Sequence, residues 1–229
     1  MLKDTIRYFF TGSNWMGHSG ILMRIGEHLY YSGLSVFIAA LIAVPVGVYI
    51  GHTGRGAMLA VGTVNVLRAL PSLGLMTLLV LLLGLGLIPS IAALVVLAVP
   101  PILATVHAGM RNVDRTTVDA ARAMGMQERQ IILRVEIPIA MPLIVSGVRN
   151  AMLQVIATAT IAAYVNLGGI GRYIFDGLAV YDYSEVLVGA FLVMVRAIAV
   201  DAALGVVQRL VYPGGIRALR TASAAARDK

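Results

Sequence analysis

The sequence predicts an all-α, polytopic integral membrane protein with about five transmembrane helices, a sixth being possible, and a cytoplasmic helical loop. Three observations carry this prediction. Of 229 residues, 59% are hydrophobic and only 13% are charged, whereas soluble domains run near half apolar and about a quarter charged. The charged residues leave three long gaps free of Asp, Glu, Lys and Arg, namely Glu27 to Arg55, Arg68 to Arg111, and Asn150 to Gly171. One arginine-rich stretch, residues 108–139, interrupts the apolar ones. This balance argues against a soluble enzyme and against a disordered chain, which needs low hydrophobicity. The absence of cysteine removes disulfides, thiol nucleophiles and Cys-ligated metal sites.

Each element follows in chain order. Residues 1–27 lack a compact apolar core and carry Lys3, Asp4, Arg7 and Arg24, so they read as an interfacial segment and not as a signal peptide. Tyr8, Phe9, Phe10 and Trp15 suit headgroup depth. A bilayer-spanning helix needs about 20 mostly apolar residues, and the first gap supplies one from His28 to Ile50. The second gap supplies two, divided at Gly84-Leu85-Gly86-Leu87-Ile88-Pro89-Ser90, where two glycines and a proline favour a turn. The first of these runs from about Met58 to Leu83, and Arg68 and Pro71 interrupt it. A single helix kinked at Pro71 is expected, with an interfacial helix followed by a span as the alternative. The next covers Pro89 to His107, the fourth Met141 to Tyr164, and the last Val186 to Val211. Residues 28–211 thus form the transmembrane domain and 212–229 a tail.

Cytoplasmic loops are enriched in Lys and Arg. Arg111, Arg115, Arg122, Arg129 and Arg134 put the 108–139 loop inside, and Arg217, Arg220, Arg227 and Lys229 put the tail inside. With five spans the N-terminus is then outside. The net charge of +7 is an orientation signal, and no nucleic-acid partner is needed to explain it.

The inner loop is the most informative segment. It reads Asp119-Ala120-Ala121, three residues, Gly125, nine residues, then Val135-Glu136-Ile137-Pro138. Thr116 or Thr117 is expected to cap a short helix with Asp119 near its first turn. Gly125 should end that helix in the left-handed conformation, and a second short helix, Glu128 to Val135, should stop before Pro138. Ala120, Ala121 and Ala123 would give a small-residue face for a partner's groove.

This pattern resembles the EAA loop of ABC importer permeases, with Ala120, Ala121, Gly125 and Pro138 in place and Asp119, Val135 and Ile137 as close replacements. Pro71-Ser72-Leu73, Asp119 to Met126, Ala157 to Tyr164 and Gly168-Gly169-Ile170-Gly171 are similar to the branch serving glycine betaine, carnitine and choline. The resemblance covers about Leu29 to Val211. It implies a bacterial or archaeal inner-membrane permease for a small osmoprotectant, with the 119–138 loop docking a separate ABC ATPase subunit. It also implies a second permease copy or paralogue and an extracytoplasmic substrate-binding protein. Another small solute, such as an amino acid or a sulfur-containing betaine, is the alternative within this class. A non-transporting membrane scaffold is the alternative outside it.

ATP hydrolysis is not expected of this chain, since its only lysines are Lys3 and Lys229 and no G-x-x-x-x-G-K-[ST] exists. No cofactor or metal is expected either, because His18, His28, His52 and His107 are scattered and read as interfacial or packing residues. Candidate pathway or gate residues are Arg68, Pro71, Ser72, Thr158, Thr160 and Tyr164, with Asn166 beyond them. Ionisable residues inside spans are costly and usually paired. Arg149 and Asp201 fall at similar depth and are expected to pair, while Arg196 is expected to line a wet path or snorkel.

Overall fold

The computed structural model describes residues 2–165 and 167–211. The tail 212–229 and Asn166 lie outside the described residues. Among the described residues the secondary structure is helical throughout, with no strand. Four helices are long and apolar enough to cross a membrane, and a broken pair makes a fifth. The all-α membrane architecture expected from the charge-free gaps is what the chain adopts.

Helix α1, Leu2–Phe10, is amphipathic and lies against the last span. Its aromatic residues do more than sit at the interface. Tyr8 meets Tyr173 edge-on at 6.1 Å, Phe9 meets Phe191 at 5.5 Å, and the Trp15 indole donates to the Phe9 carbonyl at 2.7 Å. Phe10 remains outward.

The first span, α2, covers Ile21–Thr53 and so begins well before His28. Charge does not stop it, because Arg24 pairs with Glu27 at 3.0 Å and Glu27 accepts the Gly169 N–H at 2.7 Å. Gly54, at φ 70°, ends it.

The expected single kinked helix over 58–83 is instead two helices, α3 (Ala57–Ala69) and α4 (Ser72–Leu83), bent 90° apart. Leu70 and Pro71 are extended, with ψ of 129° and 122°. Proline lacks the N–H and bars the preceding residue from the helical region. The break becomes a right angle because α4 packs on the next helix, burying Met76 completely. Each piece is about 20 Å long, too short to cross about 30 Å of hydrocarbon alone.

Helix α5, Leu87–Arg111, is the central element and touches α2, α3, α4 and the fourth span. Small residues let the axes approach, as membrane helix packing requires. A Cβ on Gly47 would lie 2.8 Å from Val106 atoms, and one on Gly147 would collide with Thr105. Pro100 and Pro101 lie inside α5. Pro101 cannot donate to the Leu97 carbonyl, and Gln154 supplies the missing N–H from the fourth span at 3.3 Å.

Two short helices, α6 (Arg115–Ala123) and α7 (Glu128–Ile131), follow. A π-helical turn over Ile132–Glu136 then leads directly into α8, Ile137–Ala162. The expected stop before Pro138 does not occur. The wide turn lets the Ile137 N–H reach the Ile132 carbonyl, and proline is tolerated in the first turn of the helix that follows. Helices α9 (Gly171–Ala179) and α10 (Tyr183–Val211) complete the bundle. Gly169 makes the turn into α9 at φ 89°.

Candidate functional site

At one end of the bundle α6, α7 and the π-turn form a knuckle with its own small core of Val113, Val118, Ala121 and Ile131. The cap of α6 is Asp114, not Thr116 or Thr117. Its carboxylate accepts the Thr116 N–H at 3.0 Å and the Thr116 hydroxyl at 2.6 Å. Those hydrogen bonds hold the Asp114 carboxyl below its usual range. Asp119 therefore falls beyond the first turn, where it pairs with Arg122 at 3.0 Å.

Gly125 is left-handed at φ 83°. The Met126 N–H donates to the Ala121 carbonyl and the Gly125 N–H to the Arg122 carbonyl, which is the Schellman arrangement of a glycine-ended helix. Ala121 is buried inside the knuckle, so the outward small-residue face is Ala120 and Ala123, with Met124 beside them at 76% exposure. Pro138 lies in the first turn of α8 and is exposed.

A polar chain fastens this knuckle to the bundle. Arg122 grips Glu128 with Nε at 2.7 Å and Nη2 at 3.1 Å. His52, at the end of α2, lies 3.2 Å from Glu128 through Nε2 and 2.6 Å from Glu136 through Nδ1. Glu136 is only 1% exposed. The ends of α2 and the knuckle thus share one side of the molecule. Sequence reasoning gave His52 no role beyond interface or packing. Its partners lie 76 and 84 positions away, as their numbers show, so no local motif announces them.

Within the bundle, a cavity of about 490 Å³ opens where α3 breaks from α4. Arg68, Ser72, Gln154 and Thr158 give its polar lining, and Leu67, Leu97 and Pro100 part of its apolar wall. Three of the expected pathway residues, Arg68, Ser72 and Thr158, therefore come together, with Pro71 making the break between the first two. Thr160 and Tyr164 do not line it. The Thr160 hydroxyl donates to the Ile156 carbonyl at 3.1 Å, and Tyr164 rests against Phe175. Gln154 is the cavity residue that sequence reasoning missed. The signal that could have found it is the Pro100-Pro101 pair, which leaves a carbonyl in need of a donor from a neighbouring helix.

Arg149 and Asp201 meet away from this cavity in a bidentate pair, both contacts 2.7 Å, and Arg149 also donates to Gln208 at 3.1 Å. Arg196, expected to line a wet path or to snorkel, is buried in this chain, with its Nε and Nη1 unpartnered among the described residues. It is 6% exposed and donates to the His28 carbonyl at 3.3 Å and the Ser32 hydroxyl at 3.4 Å. Among the described residues no group of three His, Asp or Glu is placed to hold a metal ion.

Long apolar helices with a polar cavity where α3 breaks from α4, and a polar helical knuckle at one end, make this an integral membrane protein. Residues 43–213 match the family described as "Binding-protein-dependent transport system inner membrane component", and the chain belongs to that family. It is 36% identical to the glycine betaine/carnitine/choline transport system permease protein of Bacillus subtilis, over 89% of this chain and 94% of that protein. It is 36% identical to the carnitine transport permease protein of Listeria monocytogenes, over 95% and 98%, and 35% identical to a choline transport system permease protein of Bacillus subtilis, over 89% and 94%. Among solved structures, the inward-facing MetNI methionine ABC transporter aligns with a TM-score of 0.76 at 21% identity, covering 83% of this chain and 95% of that one. An amino acid ABC transporter aligns with a TM-score of 0.68 at 18% identity, covering 91% and 98%. These two likenesses establish the fold.

Proposed function

We propose that this chain is the permease subunit of an ABC importer for a small osmoprotectant of the glycine betaine, carnitine or choline class. The observation that carries the reading is identity of 35–36% across nearly the whole chain to permeases named for these solutes. The methionine and amino-acid transporters share the fold at 18–21% identity, which does not extend to the solute.

In this reading Ala120, Ala123 and Met124 present the docking face for a separate ATPase subunit, and Asp119, Ala121 and Gly125 shape the knuckle behind it. The knuckle and the tail face the cytoplasm, and the N-terminus faces outward. Two permease copies, or this chain and a paralogue, enclose the path and receive solute from an extracytoplasmic binding protein. ATP-driven closure of the ATPases draws the knuckles together and opens the path outward. The chain needs no cofactor or metal of its own, and ATP is hydrolysed by the partner. The Arg149–Asp201 pair holds α8 to α10 and does not touch the solute.

The test is uptake of radiolabelled glycine betaine, carnitine, choline and several amino acids by proteoliposomes holding the permease, its ATPase and its binding protein. Accumulation of at least one quaternary amine, but of no amino acid, is expected. Deletion of Asp119–Gly125 should abolish both uptake and co-purification of the ATPase while leaving membrane insertion intact. ATPase retained by the deleted permease would overturn the docking assignment.

A further inference from the structure

The cavity at the α3–α4 break has a one-sided chemistry. Its polar lining is one guanidinium, Arg68, and three neutral groups, Ser72, Gln154 and Thr158. Arg68 makes no ion pair or hydrogen bond among the described residues, so its five N–H donors are free for a ligand. Gln154 has spent an N–H on the Leu97 carbonyl, which leaves its Oε1 open. Thr158 has spent its hydroxyl proton on the Gln154 carbonyl at 2.8 Å. Ser72 is the first residue of α4, whose N-terminus has no side-chain cap, so the positive end of that helix lies at the cavity wall.

Missing from the lining are the groups that bind cations. Among the described residues no aromatic ring and no carboxylate faces the cavity. A quaternary ammonium is held by aromatic faces through cation–π attraction or by a carboxylate. A carboxylate is held by a planar guanidinium, often through two parallel hydrogen bonds. A solute carrying only a positive charge would therefore meet repulsion from Arg68 with no carboxylate and no ring among the described lining residues to offset it. A zwitterion can place its carboxylate on Arg68 and turn its ammonium, which has no N–H to satisfy, toward the open side.

Resting on the importer reading above, we propose that Arg68 receives the carboxylate of a zwitterionic quaternary amine, so that the permease passes glycine betaine and carnitine in preference to choline. The site deepens the role of the cavity from a passage to a filter, one that acts after the binding protein has released its cargo.

The experiment uses the complete complex in proteoliposomes, with each solute supplied at concentrations that load the binding protein. The wild type should carry glycine betaine and carnitine about tenfold or more faster than choline. Arg68→Gln should lower uptake of both zwitterions about tenfold or more, leave choline uptake unchanged or raised, and preserve ATP hydrolysis stimulated by the loaded binding protein. Arg68→Lys, which keeps the charge and loses the fork, should retain part of the zwitterion uptake. Equal wild-type rates for choline and glycine betaine would overturn the proposal without recourse to a variant. So would zwitterion uptake unaffected by Arg68→Gln, or an equal loss of all three solutes. A wild-type complex that carries none of the three would defeat the importer reading itself, a result distinct from any of these.

Discussion

His52→Ala is the sharpest test of how the knuckle is held. Glu136 is 1% exposed, and its partner among the described residues is His52, at 2.6 Å. Removing the imidazole leaves a buried acceptor without its hydrogen bond, and that loss costs about 1–3 kcal/mol. Because about 1.4 kcal/mol is a factor of ten, the undocked fraction of the knuckle should rise roughly 5- to 150-fold. The second contact, 3.2 Å to the exposed Glu128, adds little, since Arg122 holds that carboxylate independently. The assay is hydrogen exchange on the purified permease in nanodiscs. Amides over 115–136 should lose protection by that factor, while those in the centre of α5 should not change. Replacing both partners, His52→Leu with Glu136→Leu, removes the orphaned acceptor and should recover most of the protection. If His52→Ala leaves exchange untouched, or if the double variant is worse than the single, the fastening role assigned to this contact is wrong.

Other outcomes follow from the packing and the turns. Gly147→Val should lower the melting temperature in detergent, because overpacking costs about 1–3 kcal/mol and the new Cβ would collide with Thr105; an unchanged melting temperature would show that α5 and α8 can part freely. Arg149→Asp with Asp201→Arg should restore the assembly that each single change loses, as judged by gel filtration; continued loss in the swap would count against a pairwise role for the 2.7 Å contacts. Gly125→Ala meets no steric obstacle but must hold φ 83°, which costs an L-residue about 1–2 kcal/mol. ATPase affinity should fall about fivefold or more, and wild-type affinity would mean that the turn relaxes at no cost.

Spans were legible because a charge in hydrocarbon is costly and its absence over 20 residues is conspicuous. The start of α2 was not, since Arg24 and Glu27 look like a boundary until the loop N–H of Gly169 is seen to satisfy Glu27. Pro71 announced a break, but its right angle goes with the packing of α4 on α5 and the burial of Met76, which no local motif encodes. In the knuckle, Gly125 was readable because a left-handed helix end has few candidates. The cap was misread because Asp114 precedes two threonines that also cap well, and Ala121 faces inward because the turn brings Met126 back over it. Half the polar cavity lining was visible as Arg68 and Ser72 around a proline. Thr158 was singled out from a different span, and Gln154 carries meaning only once Pro101 has emptied the Leu97 carbonyl.

The uninterrupted run from α7 through the π-turn into α8 has a mechanical consequence. From Ile131 to Thr158 the helical rise of about 1.5 Å per residue amounts to roughly 40 Å. The knuckle and the cavity wall are therefore the two ends of one continuous helical run. For a pivot at the knuckle end, each degree of tilt sweeps the Thr158 end through about 0.7 Å. A rotation of about three degrees moves Gln154 and Thr158 by roughly 2 Å. A stop at Pro138 would have put a joint between the knuckle and the cavity; its absence leaves the π-turn and Pro142 as the places where this run can bend.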